Sequence, residues 1–155
     1  MIIKSGLKPN LEKYKKIAEN CRKRNISLFI SNDHRLMFKL GLRNLYISSY
    51  NKNYYKNLPK NIEIIGSAHN KKEILEKLRQ GCSKIILSRL FKTKKKGYLG
   101  VIKFNLLTRP FTNLVALGGI KITNIKSAGK PYFTPNKYCT DASKTPKNIA
   151  QISAP

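Results

Sequence analysis

Short apolar runs alternate along most of the chain with segments whose apolar residues recur at the spacing of a helix. The runs are typical of buried strands and cover residues 2–3, 26–30, 45–47, 62–65, 85–87, 114–117 and 149–152. The helical segments between them cover residues 11–21, 36–40, the stretch between Asn70 and Gly81, and residues 101–107. The first helix follows a Pro9-Asn10 start signal, and the second ends at Gly41.

This alternation predicts an α/β fold. Strands that alternate with helices in units of about 20 to 30 residues are typical of βαβ units, which build a parallel sheet. The seven runs fit either an open doubly wound sheet or a (β/α)₈ barrel that lacks a strand. Neither a G-x-G-x-x-G motif nor a Walker P-loop occurs in the sequence, so the commonest nucleotide-binding sheets are excluded.

The length of 155 residues predicts a single domain over residues 1–155. Within it, residues 121–147 are rich in Lys, Thr, Ser, Asn and Pro and have no sustained period, which predicts a loop or disorder. No apolar run approaches the roughly 18 residues of a membrane span, and the first ten residues lack the apolar centre of a secretory signal. We therefore expect a soluble, cytoplasmic protein with no membrane partner.

The charge of the chain indicates the class of its partners. Its 32 Lys and Arg residues against 7 Asp and Glu residues give a net charge of +25, which favours anions such as phosphates, nucleic acid or acidic lipid. The plainer interpretation is a lysine-rich composition that covers solvated faces. Three scattered cysteines, Cys21, Cys82 and Cys139, with only two histidines in the chain, disfavour a disulfide framework or a zinc site.

Small or polar residues follow the apolar runs, and in either architecture ligands bind at these carboxyl ends of the strands. They are Ser31, Asn32, Asp33, Ser48, Ser49, Gly66, Ser67, Ala68, His69, Ser88, Arg89, Gly118, Gly119 and Ser153. Such groups suit phosphate oxygens, although turns favour the same residue types for structural reasons. The loop 92–96 adds four lysines and Thr93, which favours the phosphate interpretation. Asp33, the only carboxylate in the set, is the candidate ligand for a Mg²⁺ shared with phosphates.

Four segments, taken in order, resemble the thiamine phosphate synthase/TenI family. They are Ser31-Asn32-Asp33, Ile65-Gly66-Ser67-Ala68-His69, Phe91-Lys92-Thr93-Lys94-Lys95-Lys96 and Val115-Ala116-Leu117-Gly118-Gly119-Ile120. The resemblance implies a TIM barrel. It also implies a transferase that joins a hydroxymethylpyrimidine pyrophosphate to a thiazole phosphate and releases pyrophosphate, with Mg²⁺ as cofactor.

The resemblance also implies roles for individual residues. Asn32 would contact the pyrimidine pyrophosphate, and Asp33 would bind Mg²⁺. Ser67 and Lys96 would hold the pyrophosphate and serve as the catalytic pair. The remaining substrate-binding residues implied are Lys4, Thr93, Lys95, Gly119, Ile152 and Ser153. Mg²⁺, lysines and hydroxyls lower the barrier electrostatically, because negative charge builds on the departing pyrophosphate.

The chain departs from the family pattern at several positions. The family's first strand and last helix have no counterpart, so we expect an incomplete barrel. Only Lys4 could replace the arginine of a Q-x-R-x-K run. Asn51 stands where a second Mg²⁺ carboxylate is expected, and an amide oxygen is a weaker ligand for a hard cation. Arg89 replaces a proline of the synthases and a histidine of the TenI-type tautomerases, which speaks against tautomerase chemistry. We interpret His69 as a structural or helix-capping residue.

The sequence leaves alternatives to an active synthase open. One is a catalytically inactive relative that keeps a phosphate pocket, and another is an incomplete barrel whose gap a homo-oligomer covers. A third is a basic nucleic-acid-binding protein that uses the loop 92–96 and the tyrosines between Tyr46 and Tyr55 for stacking. No RNP, KH or zinc-finger pattern occurs, so phosphorylated small molecules are the favoured partners over nucleic acid.

Overall fold

The computed structural model describes residues 1–4, 10–55, 57–93, 97–121 and 123–124. This part of the chain contains six strands and four helices, with a helix between every two successive strands except the third and fourth. In chain order they are β1 (Ile2–Lys4), α1 (Leu11–Lys23), β2 (Phe29–Ser31), α2 (His34–Lys39), β3 (Asn44–Ile47), β4 (Glu63–Ala68), α3 (Lys71–Arg79), β5 (Lys84–Ser88), α4 (Val101–Thr108) and β6 (Leu114–Leu117).

The order of the strands in the sheet decides between the two predicted architectures. The six strands form one parallel sheet in which each strand pairs with its neighbour in the sequence, from β1 to β6. A doubly wound sheet reverses its strand order at a switch point, whereas a (β/α)₈ barrel winds in one direction. The described sheet winds in one direction, so the prediction of an incomplete (β/α)₈-type fold is confirmed.

One face of the sheet is covered by helices and carries the main core. Ile30, Leu45, Ile47, Ile85 and Leu87 are all fully buried on this face. They belong to one cluster with side chains of α2 and α3, while Ala18 and Cys21 of α1 form a smaller cluster with Leu28. Alternate burial along β3 and β5 shows that one side of each strand faces the helices and the other faces away.

The opposite face corresponds to the interior of a barrel. Residues in register point to the same side of a sheet, so Ser31, Tyr46, Ile65 and Lys84 lie in one row across this face. The Lys84 Nζ lies 3.2 Å from the Glu63 Oε1 on the same face. The interior face is therefore a mixture of polar and apolar side chains.

Polar side chains begin three of the helices. The side chains of Asn10, Asp33 and Asn70 accept hydrogen bonds from backbone N–H groups in the first turns of α1, α2 and α3. The start signal at Asn10 is thus confirmed, and α3 begins directly after Asn70, which bounded the predicted helix. Asp33, expected as a metal ligand, is also the N-cap of α2.

The predicted element boundaries lie within two residues of the observed ones except in two places, where they differ by three residues. The second strand begins at Phe29 and not at residue 26, because the Ile26 N–H still donates to the Cys21 carbonyl at the end of α1. The fourth strand continues to Ala68, so Ser67 lies within a strand and not in the loop that the sequence suggested. The predicted strand 149–152 and most of the segment 121–147 lie outside the described residues.

Among the residues that the structure describes, no helix is long and apolar enough to cross a membrane.

Candidate functional site

The carboxyl ends of all six strands lie at one edge of the sheet, because every strand pair is parallel. The residues that follow β2 and β3 form an amide cluster at this edge, which we define as Asn32, Ser48, Tyr50, Asn51 and Tyr55. Its members are half-buried or buried, apart from Tyr50, which is 74% exposed. The members of the amide cluster are joined by several hydrogen bonds among their side chains.

Asn32 is the centre of the amide cluster. Its φ of +58° places the backbone in the left-handed region, which asparagine tolerates better than most residues. Its Nδ2 donates to the Ser48 Oγ at 2.8 Å and to the Tyr50 hydroxyl at 3.2 Å. Its Oδ1 accepts from the Ser48 N–H at 2.9 Å and from the Asn51 Nδ2 at 3.0 Å. The side chain that was predicted to contact substrate is thus used to join the ends of β2 and β3.

Asn51 makes the second set of contacts in the cluster. Its Nδ2 also donates to the Tyr55 hydroxyl at 3.0 Å, and its Oδ1 accepts from the Asn53 N–H at 2.8 Å. A backbone N–H can only donate, so the orientation of the Asn51 amide is fixed. Burial raises the pKa of the Tyr55 phenol, the hydrogen bond from Asn51 lowers it, and the negative charge of Asp33 adds to the rise.

Asp33 lies beside this cluster at the start of α2 and is half-buried. Its Oδ1 accepts the Leu36 N–H at 2.8 Å. Among the described residues, no group of three or more histidines, cysteines, aspartates or glutamates could hold a metal ion. Mg²⁺ often takes only one or two carboxylates and completes its shell with phosphates and water. The residues present therefore fit Mg²⁺ as a site with a single carboxylate, Asp33. The Asn51 side-chain amide does not contribute, because its nitrogen and its oxygen both make hydrogen bonds within the chain.

Ser67 faces the barrel interior from β4. Its Oγ accepts a hydrogen bond from the Tyr46 hydroxyl at 2.8 Å, and the residue is only 9% exposed. One alternative left open by the sequence used the tyrosines of this region for nucleic-acid stacking. Tyr46 and Tyr55 are instead hydrogen-bonded into the carboxyl edge. The helical and strand periods gave no signal for this role, because a tyrosine hydroxyl reaches its partner only after the strands have paired.

A second group of residues meets at the ends of β5 and β6. Gly118 and Gly119 have φ values of +99° and +70°. A Cβ on Gly119 would lie 2.8 Å from the Phe91 Cβ and 3.0 Å from the Lys92 carbonyl oxygen. The backbone N–H groups of Leu90 and Phe91 donate to the carbonyls of Leu117 and Gly118. The two glycines thus allow the segment that leads directly to Thr93 to lie against the end of β6.

The remaining predicted site residues are distributed as follows. Lys4 ends β1 and is exposed, and its carbonyl accepts from the Tyr14 hydroxyl. Lys95, Lys96, Ile152 and Ser153 lie outside the described residues. Asn32, Asp33, Ser67, Thr93 and Gly119 all lie in or beyond strands that end at the same edge; that they surround one common anion stays a prediction. His69 lies directly before Asn70, the N-cap of α3, and bonds Glu73 through both its backbone N–H and its Nδ1, which gives it a structural role at the start of this helix.

The one-directional parallel sheet, with polar groups collected at its carboxyl edge, defines a (β/α)-barrel-type protein. Residues 7–130 match a family model described as thiamine monophosphate synthase. This match covers most of the chain, so the chain belongs to the thiamine monophosphate synthase family, and the resemblance seen in the sequence is confirmed.

The fold is also similar to a solved structure, the thiamine phosphate pyrophosphorylase from Pyrococcus furiosus, with a TM-score of 0.57 and 15% sequence identity. The likeness covers 83% of this chain and 68% of that one. No curated protein matches the chain significantly.

Proposed function

We propose that the chain is a thiamine phosphate synthase-like transferase, which joins a hydroxymethylpyrimidine pyrophosphate to a thiazole phosphate and releases pyrophosphate. Family membership supports the substrate class. The observation that carries the proposal is the position of Asp33 at the carboxyl edge, next to the amide cluster, with only its Oδ1 hydrogen-bonded among the described residues. Its second oxygen is suited to a cation that also binds phosphate oxygens.

The residues of the chain would bind and orient the two phosphorylated substrates. Asp33 would hold Mg²⁺, which when bound neutralises charge on the departing pyrophosphate. Ser67 and Lys96 would hold that pyrophosphate, and Thr93 and Lys95 the thiazole phosphate. Backbone N–H groups near Gly119 suit phosphate oxygens, because a glycine lets an anion approach the main chain closely.

The further substrate-binding assignments, Lys4, Ile152 and Ser153, follow the resemblance alone. Asn32 would act on the pyrimidine pyrophosphate chiefly by placing the Tyr50 hydroxyl and Ser48 at the edge, since both bond its amide. A homo-oligomer that covers the open edges of the sheet stays a prediction.

A second candidate is an inactive relative that binds phosphates. The observation that favours it is Asn51, whose two amide atoms are both used within the chain. The site then offers a single carboxylate where the family pattern implies two. Such a protein would bind pyrophosphate with Mg²⁺ and form no product.

The experiment that tests the proposal measures thiamine phosphate formation from the two substrates with Mg²⁺, in the parent and in Asp33→Asn. Asparagine caps a helix about as well as aspartate, so this substitution removes the charge and keeps the cap. Glu12→Gln, an exposed carboxylate on α1, is the matched control.

We expect Asp33→Asn to lower the rate by at least about tenfold, as loss of a metal contact commonly does, with no change in the control. Equal rates in the parent and Asp33→Asn would show that the metal assignment is wrong. A parent that forms no product yet binds pyrophosphate with Mg²⁺ would be the inactive relative.

A further inference from the structure

Lys77 is a buried cation that the proposed chemistry does not use. It lies on α3, its side chain is fully buried, and burial lowers the pKa of its ammonium group below the usual value. Glu73 and Glu76 of the same helix partly oppose this decrease through their charge, as does Cys82. No ion pair of Lys77 occurs among the described residues. Burying a lysine in this way is costly, so its hydrogen bonds have to be strong.

Those hydrogen bonds reach the loop that follows β3. The Lys77 Nζ donates to the Asn51 carbonyl at 2.6 Å and to the Gln80 Oε1 at 2.8 Å. The Gln80 Nε2 in turn donates to the carbonyls of Asn51 and Asn53, at 3.0 Å and 3.1 Å. Gln80 is also buried, at 4% exposure. We call Lys77 and Gln80 the α3 clamp, because together they donate hydrogen bonds to two backbone carbonyl groups of this loop.

Strand β4 leaves space for the Lys77 side chain at Gly66. A Cβ on Gly66 would lie 3.0 Å from the Lys77 Cδ, 3.2 Å from its Cγ and 2.8 Å from the Cys82 Sγ. A larger residue at position 66 would therefore displace the lysine stem. The glycine and the lysine fit each other, so the clamp depends on both α3 and the sheet.

The clamp acts on the residue that organises the candidate site. The Asn51 N–H donates to the Ser48 carbonyl, its carbonyl accepts from the clamp, and its side chain bonds Asn32, Asn53 and Tyr55. All polar groups of Asn51 are thus committed. Its backbone is fixed by α3 and its amide fixes Asn32, so a single residue connects the clamp to the carboxyl edge.

We propose that Lys77 and Gln80 are positioning residues of the carboxyl-edge site: by holding the Asn51 carbonyl they orient the amide cluster for a pyrophosphate group. The choice of ligand rests on the proposed function, whereas the hold on the loop does not. The hold on the loop can therefore be measured without a ligand.

The variants are Lys77→Met and Gln80→Met, which keep unbranched side chains of similar length and remove the polar ends. Lys77→Met removes a buried charge and leaves the Asn51 carbonyl with its hydrogen bond from the Gln80 Nε2, so this variant should fold. Thr108→Val is the matched control, since Thr108 is equally buried, bonds a backbone carbonyl and lies on α4 away from the amide cluster. Each variant's urea unfolding midpoint is compared with that of the parent.

The first measurement is trypsin cleavage after Lys52, in the clamped loop, under native conditions and read by mass spectrometry. Cleavage requires local opening of the loop, whose equilibrium the clamp sets. We expect the rate after Lys52 to rise by about tenfold in both clamp variants and to stay unchanged in Thr108→Val. Unchanged cleavage in both clamp variants would overturn the proposal.

The second measurement is calorimetric binding of inorganic pyrophosphate in the presence of Mg²⁺. We expect binding about tenfold weaker in both clamp variants than in Thr108→Val and the parent, consistent with the size of supporting-contact effects. Faster cleavage with unchanged pyrophosphate affinity would overturn the positioning role. Faster cleavage in the clamp variants, with no pyrophosphate binding even in the parent, would confirm the hold on the loop and contradict the proposed function instead.

Discussion

The Asn51 side-chain amide donates to the Asn32 side-chain oxygen across 3.0 Å and so joins the loop after β3 to the residue that follows β2. Both amides have fixed orientations, because each oxygen also accepts a backbone N–H, from Asn53 and Ser48 respectively. The geometry of this edge is therefore set by hydrogen bonds within the chain. Asp33, the proposed Mg²⁺ ligand, lies beside this cluster at the start of α2.

Removing the Asn32 side chain should destabilise the protein more than its backbone strain alone would. Asn32→Ala loses several hydrogen bonds of a half-buried amide and keeps the left-handed backbone, so we expect a loss of about 2–4 kcal/mol in the free energy of unfolding. Asn25→Ala is the control, because Asn25 has a similar φ of +52° and is exposed. The control should lose about 1 kcal/mol. If urea unfolding shows the same loss of unfolding free energy in Asn32→Ala and Asn25→Ala, the hydrogen bonds of the amide cluster do not stabilise the protein.

A carboxylate at position 51 should create a stronger metal site. Asn51→Asp places a second carboxylate near Asp33 and removes the donor to Asn32, so we expect lower stability without Mg²⁺ by about 1–3 kcal/mol. Bound Mg²⁺ should then raise the thermal unfolding midpoint more than in the parent, because a ligand of the folded state stabilises it. Asn53→Asp adds the same charge two residues away and should respond like the parent. Equal Mg²⁺ responses in all three proteins would show that a carboxylate at position 51 adds no metal ligand at this edge.

The close packing of Gly66 against Cys82, beside the Lys77 side chain, can be tested by a double-mutant cycle. Gly66→Ala places a methyl group 2.8 Å from the Cys82 Sγ and should cost about 1–3 kcal/mol of stability. Cys82→Ala removes the closest atom. The double variant should therefore lose about 1 kcal/mol less stability than the sum of the losses in the two single variants. Strict additivity in urea unfolding would show that the Cys82 sulfur does not limit the space at position 66.

Cys82 should react slowly with alkylating reagents while the protein is folded. Burial raises the pKa of its thiol from an ordinary 9.0 to about 11, partly offset by the charge of Lys77. The reactive thiolate is thus roughly a hundredfold rarer at pH 8 than in the unfolded chain. Iodoacetamide labelling of Cys82, followed by mass spectrometry with and without urea, measures this ratio. Similar rates in both states would contradict the assigned burial.

The same pKa predicts the sign of a pH effect on stability. The unfolded thiol ionises from about pH 9 and the folded one only near 11, so the contribution of Cys82 is full below pH 9 and declines as the pH rises to 11. Urea unfolding at pH 8 and pH 10.5 should show a larger loss for the parent than for Cys82→Ala. A loss of the same size in both proteins would disprove the assignment.

The order and type of the elements were predictable because parallel strands buried by helices are continuous apolar runs, as at Leu45 and Ile85. The end of β4 was not predictable from this pattern, since Gly66 and Ser67 interrupt the apolar run while the strand continues to Ala68. Glycine is needed there for the Lys77 side chain, and this contact forms only when α3 packs against β4 in the folded protein.

The candidate site was predictable only in outline. Asn32, Asp33 and Ser67 were chosen as candidates because they lie at or near strand ends. The hydrogen bonds of Asn32 and Ser67 could not be predicted. Their partners Tyr46, Asn51 and Tyr55 lie elsewhere in the sequence and meet them only in the folded protein. Lys77 was missed for a related reason: a lysine in an amphipathic helix is usually solvated, and only its distant carbonyl partner explains its burial.

The most direct test of the account is calorimetric titration of inorganic pyrophosphate into the parent and into Asp33→Asn, each with and without Mg²⁺. If the carboxyl edge is an anion site that uses Asp33 to hold Mg²⁺, the parent should bind pyrophosphate more tightly with Mg²⁺ than without. Asp33→Asn should lose that difference while keeping the parent's unfolding midpoint within a few degrees, since it retains the helix cap. The claim would be contradicted if both proteins bound pyrophosphate equally well with and without Mg²⁺. It would also be contradicted if the parent did not bind pyrophosphate.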